Sequence, residues 1–378
     1  MCDASALPAQ HADVFEDGGG EGVGVEEGDG EGDEEVEAKK KSETMKLICD
    51  FPSPKSLPDK YVLPPERRPC NHELQGDLSV ALPVIDLQGA LGDGRRQAVN
   101  HGVGEDVIQG FREAAAEFFR MPAEAKLKHY SNEHNKHCRV FSGSVTSHTD
   151  TNDIRYWRDC LKLRCYPVDK LMDHWPSQPE TFRERLAKYA VAVQELAQRL
   201  LRLIAEGLGL DSQFFEGDLT GGETMMNVNY YPRCPDPSLT LGIRPHSDRY
   251  ILTVLSQGDV TGLQVKHKGR WIGVQPMRNA FVVNFGLQLE MVTNGVLTSV
   301  EHRVVTNSAK ARMSVATLIR PNMGCRIRPA PMMVNGETNH RPKYRDFTGS
   351  ELIEAYEATA GNREALLALF RIHHTKLL

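Results

Sequence analysis

No apolar run in this 378-residue chain approaches the roughly 18–20 residues needed to cross a bilayer, so the sequence offers no candidate membrane span. Its first residues, MCDASALPAQHADVF, lack the basic segment and apolar stretch of a secretory signal. Eight cysteines (2, 49, 70, 138, 160, 165, 234 and 325) are scattered without CxxC spacing. That pattern argues against a zinc framework or a disulfide scaffold and predicts reduced thiols in a cytoplasmic protein. Basic residues are not interleaved with aromatics, so nothing calls for a nucleic-acid partner. No internal repeat is present.

What is there is enough for a large core, since 40% of residues are hydrophobic. The net charge of −6 hides an asymmetry. Residues 1–44 hold 14 Asp and Glu against three Lys, while the remainder carries a mild positive balance. The Gly- and Glu-rich segment EDGGGEGVGVEEGDGEGDEEVEAKKK has little to bury, so residues 1–45 are expected to be a disordered acidic tail.

After an extended, Pro-punctuated arm at 57–69, LPVIDL (82–87) reads as a buried strand. Residues 104–130 place Val107, Ile108, Phe111, Ala115, Phe118 and Phe119 at helical spacing, with Pro122 interrupting the run. Residues 177–210 give the strongest helical signal, closed by Gly207 and Gly209. From about residue 222 the texture changes to short Val-, Ile- and Phe-rich runs, and HKGRW reads as a hairpin turn. Helical patterns return in DFTGSELIEAYEA and NREALLALFRIHH. The expected fold class is α+β with a mainly β core, a sandwich or barrel framed by helices. The boundaries are 46–218 for an N-terminal helical region with the first core strand, 219–325 for the β core and 326–378 for a C-terminal helical extension.

The β region carries the chemistry. GIRPHSDRYILTVL (242–255) opens a strand-like run with a histidine and an aspartate two positions apart. Residues i and i+2 of a strand share a face, so strand geometry aims His246 and Asp248 into one space. His302, in SVEHRVV, would on its own be an ordinary core histidine. Together the three supply two imidazoles and one carboxylate, a facial set that holds Fe(II) and leaves positions open. The absence of a thiol from this set argues against structural zinc. In ARMSVATLI, alternation puts Arg312, Ser314, Ala316 and Leu318 on one face. An inward arginine is costly unless an anion meets it, and no acidic residue shares its strand. A bound carboxylate is the natural partner, gripped by the guanidinium fork with the Ser314 hydroxyl as a further donor.

Other polar and aromatic residues carry less weight. His129, His134 and His137, like His373 and His374, read as polar surface, and Trp157 and Trp271 as core or rim packing. Arg244, Arg249 and Tyr250 flank the His–Asp pair within reach of a substrate; contact with either arginine would imply a substrate carboxylate.

HxD at 246–248, His302 and RxS at 312–314, with NYYPRCPDPSLTLG upstream, closely resemble the plant 2-oxoglutarate- and Fe(II)-dependent dioxygenases over about residues 57–370. RYWRDCL, FEGDLTGGE and NFGLQLEMVTNG are similar to the branch containing deoxymugineic acid dioxygenases and hyoscyamine hydroxylases. The resemblance implies a double-stranded β-helix, or jelly roll. It implies Fe(II) on His246, Asp248 and His302, and 2-oxoglutarate held by Arg312 and Ser314 with Asn229 and Tyr231 beside it. It further implies O2 as oxidant, ascorbate as reductant, and a monomer that oxidises, most simply hydroxylates, a small specialised metabolite with succinate and CO2 as coproducts. Relatives that halogenate lack the carboxylate, so Asp248 favours hydroxylation, desaturation or ring closure. RxS also occurs in aminocyclopropane carboxylate oxidase, which does not use 2-oxoglutarate and is an alternative reading.

The resemblance departs at one place. After LPVIDL the family has a helix and then a strand before NHGV, whereas here QGALGDGRRQAV runs directly into NHGV (100–103). A core strand is therefore expected to be missing near 99–100, with marginal stability as the consequence. An inactive truncated splice or gene-model product, acting at most as a binding protein, is the second alternative.

Overall fold

The structure, a computed structural model, describes residues 47–51, 55–70, 73–74, 76–77, 81–87, 96–143, 154–334 and 341–372. The acidic tail (1–45) and His373 and His374 lie outside the described residues. Among those described, no helix is long and apolar enough to cross a membrane.

Eight strands form the larger sheet: β1 (Val84–Asp86), β2 (Arg96–Val99), β3 (Cys138–Ser142), β4 (Asp159–Tyr166), β5 (Thr224–Tyr231), β7 (Leu252–Ser256), β10 (Phe281–Phe285) and β12 (Arg312–Ile319). Their order is β1-β2-β10-β7-β12-β5-β4-β3. A smaller sheet contains β6 (Ile243–His246), β8 (Leu263–His267), β9 (Arg270–Gly273) and β11 (His302–Val304), in the order β6-β11-β8-β9. From β5 onward the chain passes repeatedly between the sheets, as in a jelly roll. The tight β8–β9 hairpin turns at Lys268 (φ 47°) and Gly269 (φ 80°), the left-handed pair that a type I′ turn requires.

The larger sheet separates two apolar clusters. Helices α1 (Glu105–Arg120) and α2 (Phe182–Gly207) cover one face. Phe111, Phe118, Phe182, Tyr189 and Val193 meet Val228, Val315 and Ile319 there. The buried positions of both helices recur every three or four residues, and each large side chain removed from water contributes about 1.5–3 kcal/mol. On the opposite face Tyr231, Leu255 and Val282 meet Leu263, Val265 and Val304 of the smaller sheet. In β12, Val315 and Ile319 point to the helices while Ala316 packs on the inter-sheet cluster, so the alternation read from the sequence holds. Arg312 and Ser314 then belong to the inter-sheet face. Helices α3 (Leu287–Val292), α4 (Gly349–Ala358) and α5 (Arg363–Phe370) complete the elements used below.

The expectation of a missing core strand is corrected. Arg96–Val99 forms β2, parallel to β1 (Ile85 opposite Ala98) and antiparallel to β10 (Phe281 opposite Ala98). Parallel pairs normally need a crossover of about a dozen residues or more, but only residues 87–95 intervene. Ala98 is buried in the helix-side cluster. A short strand without aromatics satisfies the ladder that β10 would otherwise leave unpaired. The ladder is thereby paired, although RQAV brings no large aromatic side chain to the core. Ala98→Asp should cost at least about 3 kcal/mol by burying an unpaired carboxylate, lowering Tm by roughly 6–12 °C. An unchanged melting curve would show that 96–99 lies outside the core.

Candidate functional site

Strands β6 and β11 pair antiparallel with His246 directly opposite His302. The register then shifts, so that Val304 faces Ile243. This bulge falls at Arg244–Pro245 in an edge strand, where a proline without an N–H is tolerated. Imidazole centroids of His246 and His302 lie 4.2 Å apart. His246 Nδ1 lies 2.9 Å from the Arg244 carbonyl and His302 Nδ1 3.1 Å from that of Val300. A carbonyl can only accept, so each Nδ1 carries the proton and each Nε2 presents a lone pair. Burial and the neighbouring His302 ring lower His246 to about 3, against the opposing pull of Asp248. It is therefore neutral, the form that binds metal.

Asp248 is not within a strand. Strand β6 ends at His246, and Ser247–Tyr250 form the irregular link to β7, so same-face strand geometry is not what aims the carboxylate. The aim comes from contacts to this link. Leu287 N–H donates to the Asp248 carbonyl (2.7 Å), Gln288 N–H to that of Arg249 (3.2 Å) and the Tyr356 hydroxyl to that of Ser247 (3.3 Å). Asn284 Nδ2 approaches Asp248 Oδ2 at 3.4 Å. Asp248 Oδ1 is thereby left 3.9 Å from each histidine Nε2. Potential ligand atoms of the three residues all lie within 4.8 Å of one another, and they are the one such group among the described residues. Two neutral imidazoles and a hard carboxylate suit Fe(II).

Arg312 and Ser314 face the same inter-sheet space. Arg312 is 3% exposed. Its Nε donates to the Val260 carbonyl (3.1 Å) and its Nη1 lies 3.4 Å from Ser314 Oγ. Nη2 is buried with no partner, as is the Tyr231 hydroxyl, and burial lowers the guanidinium pKa. Across the β12–β5 ladder Tyr231 stands opposite Arg312 and Asn229 opposite Ser314. A buried donor without a partner costs about 1–3 kcal/mol, and a carboxylate relieves that cost. The donors present fit the far end of a dicarboxylic acid.

The remaining candidates separate cleanly. Trp157 packs against Tyr61 in a core cluster, and Arg303 stacks over Trp271. His137 stacks on His174, and His129 is held near 4 by burial beside Lys128 and Arg183; neither joins a metal-binding group among the described residues. Arg249 stacks over Tyr250 and Tyr356. Sequence reasoning missed Asn284 and Gly286 as supports of Asp248, although both stand in NFGLQLEMVTNG. It also missed Arg158, whose Nη1 donates to Asn229 Oδ1 at 3.1 Å.

Residues 222–321 match the 2OG-Fe(II) oxygenase superfamily, and residues 87–179 match the N-terminal region described as non-haem dioxygenase in morphine synthesis. The 2'-deoxymugineic-acid 2'-dioxygenase of Hordeum vulgare is 42% identical over 318 residues, covering 81% of this chain and 91% of that relative. The chain belongs to the 2OG-Fe(II) oxygenase superfamily. Hyoscyamine 6-dioxygenase of Hyoscyamus niger is 35% identical over 344 residues, covering 85% and 97%. Among solved structures, JOX2 in complex with 2OG, Fe and JA superposes with a TM-score of 0.74 at 31% identity, covering 86% of this chain and 96% of that one. This 2OG-Fe(II) oxygenase is an oxidoreductase of the dioxygenase type, with Fe(II) and 2-oxoglutarate as its cofactor and cosubstrate and a small molecule as its substrate.

Gly286, between β10 and α3, generates a prediction. A Cβ there would overlap the Tyr250 carbonyl oxygen and press on that of Asp248. Gly286→Ala should displace the link that carries Asp248 and weaken Fe(II) binding at least ~10-fold, an energy of about 1.4 kcal/mol. Metal titration followed by calorimetry reads this, and wild-type affinity would show that the link is not what positions the carboxylate.

Proposed function

We propose that His246, Asp248 and His302 hold one Fe(II), and that Arg312 and Ser314, with Asn229 and Tyr231, hold 2-oxoglutarate. The reaction proposed is oxidation, most simply hydroxylation, of a small specialised metabolite, with succinate and CO2 as coproducts. The observation that carries this reading is the convergence of three metal-ligand atoms on the same inter-sheet space as the partnerless Arg312 Nη2. Iron bound there would supply the redox chemistry and open coordination positions. The chain's own residues do the rest. Arg244 and Val300 carbonyls fix the imidazole tautomers, and Asn284 and the α3 amides orient the Asp248 carboxylate. Arg312 sets the direction from which the cosubstrate reaches the metal. Val265, Val282, Phe285 and Val300, which line a pocket beside His302, exclude water from the reacting centre.

The deoxymugineic-acid and hyoscyamine dioxygenases support a specialised-metabolite substrate, and the 2OG-Fe(II) family match with the 2OG-bound JOX2 structure disfavours the aminocyclopropane carboxylate oxidase alternative. A complete set of donors, with the β10 edge paired by β2, disfavours the inactive one. Ascorbate as reductant, a monomeric state, cytoplasmic residence, a dispensable acidic tail and a catalytic core at 219–325 complete the proposal.

His302→Ala should abolish Fe(II) binding and succinate formation together; retention of stoichiometric iron with turnover would refute the ligand assignment. Arg312→Met should retain iron while raising the KM for 2-oxoglutarate by about two orders of magnitude, since breaking a buried charge pair costs roughly 3–5 kcal/mol. Steady-state succinate release measures this, and an unchanged KM would place the cosubstrate carboxylate elsewhere.

A further inference from the structure

A second set of cations lies on the inter-sheet face, beyond those assigned to 2-oxoglutarate. Directly opposed residues of neighbouring strands share a face. Arg139 of β3 stands opposite Lys162 of β4, Lys162 opposite Asn227 of β5, and Asn227 opposite Ala316 of β12. Ala316 is two residues from Ser314, so this row lies on the face that carries Arg312 and Ser314.

The row is poor in counter-charge. Lys162 is half-buried, and no hydrogen bond or ion pair holds it among the described residues. Arg139 is 2% exposed; its Nη1 reaches the Ser131 carbonyl at 3.4 Å, its guanidinium stacks on Phe141, and its Nε has no partner. Asn227 Oδ1 and Arg320 Nε are buried and partnerless as well. Burial together with the Arg249, Arg139 and Arg320 guanidinium groups pushes Lys162 down to about 7. Glu357 acts on Arg249 and Glu223 on Arg320, but the ion pair of Glu223 is with Arg164. A buried guanidinium with an unmet N–H, such as that of Arg139, is costly, and further cations gathered beside it favour an anion.

We propose that Arg139 and Lys162 form an anion subsite for the primary substrate, which is a small molecule bearing at least two carboxylates. This rests on the reading in which Arg312 holds 2-oxoglutarate, because that assignment leaves the Arg139–Lys162 row free for a second ligand. One carboxylate would sit between Lys162 and the Arg139 Nε, and a further one would face Arg249 or Arg320. A neutral, apolar substrate would leave the row unpaired in the complex.

The lowered pKa of Lys162 also fixes the sign of its effect on stability. Its folded value lies below that of the unfolded chain, so the unfolded chain binds the proton more readily and the group opposes folding at neutral pH. Lys162→Met removes this cost and keeps the length of the side chain. It should raise Tm while weakening binding, a combination that a merely structural lysine would not show.

The test uses the full chain with Fe(II) and saturating 2-oxoglutarate under anaerobic conditions, and tricarballylate and its trimethyl ester as calorimetric probes. Tricarballylate should bind saturably and the ester at least ten-fold more weakly. Lys162→Met and Arg139→Met should each weaken tricarballylate at least ten-fold, with Lys162→Arg restoring most of the affinity. Equal binding of acid and ester, absence of tricarballylate binding, or a Tm that falls in Lys162→Met would overturn the proposal. Aerobic 2-oxoglutarate consumption by the wild-type chain separates the two levels. If it is consumed but tricarballylate fails to bind, the subsite alone is wrong; if it is never consumed, the underlying reading falls and this proposal with it.

Discussion

The pairing of His246 with His302 across β6 and β11 is the contact on which the site depends. A slip of one residue between these strands would turn one imidazole to the outer face of the smaller sheet and leave no metal-binding group. Several features resist that slip. Leu263, Val265 and Val304 anchor the smaller sheet in the inter-sheet cluster. The bulge at Arg244–Pro245 takes up the odd residue in β6. The hydrogen bonds of each Nδ1 to the carbonyl two residues back hold the rings in the tautomer that faces Nε2 inward. The apolar core of the sandwich and the polar chemistry of the site are thus products of one strand register.

Around this centre the fold accepts instability. A domain is stable by only about 5–15 kcal/mol, yet the inter-sheet face holds a partnerless Arg312 Nη2, an unpaired Lys162 and a half-satisfied Arg139. Apolar residues at these positions would fold better. The helix-side cluster, with its interlocked aromatics from α1 and α2, offsets the cost and leaves the other face available for anions.

Much of this was legible in the sequence, for a physical reason. A period of two makes an arginine inside an apolar strand conspicuous, so Arg312 and Ser314 stood out together with their shared face, whereas His302 gained its meaning only beside His246 and Asp248. Asp248 was picked out on an argument that does not describe it, because β6 ends before it and the contacts of α3 and Tyr356 aim the carboxylate. Asn284 and Gly286 could not be weighed from sequence, since each acts on a residue some thirty-six positions away. Strand β2 was missed because RQAV carries no aromatic residue. Its place was decided by the open edges of β1 and β10, which no local pattern records. The cationic row was invisible for a similar reason: Arg139, Lys162 and Asn227 become neighbours only through ladder registers between three strands.

Anaerobic titration of the purified chain with Fe(II) and 2-oxoglutarate, followed by the visible charge-transfer absorption of a metal-chelated 2-oxo acid, tests the central claim most directly. Absorption is expected only when both are present, saturating at one Fe(II) and one 2-oxoglutarate per chain. Absence of that absorption, or saturation at any other stoichiometry, would contradict it.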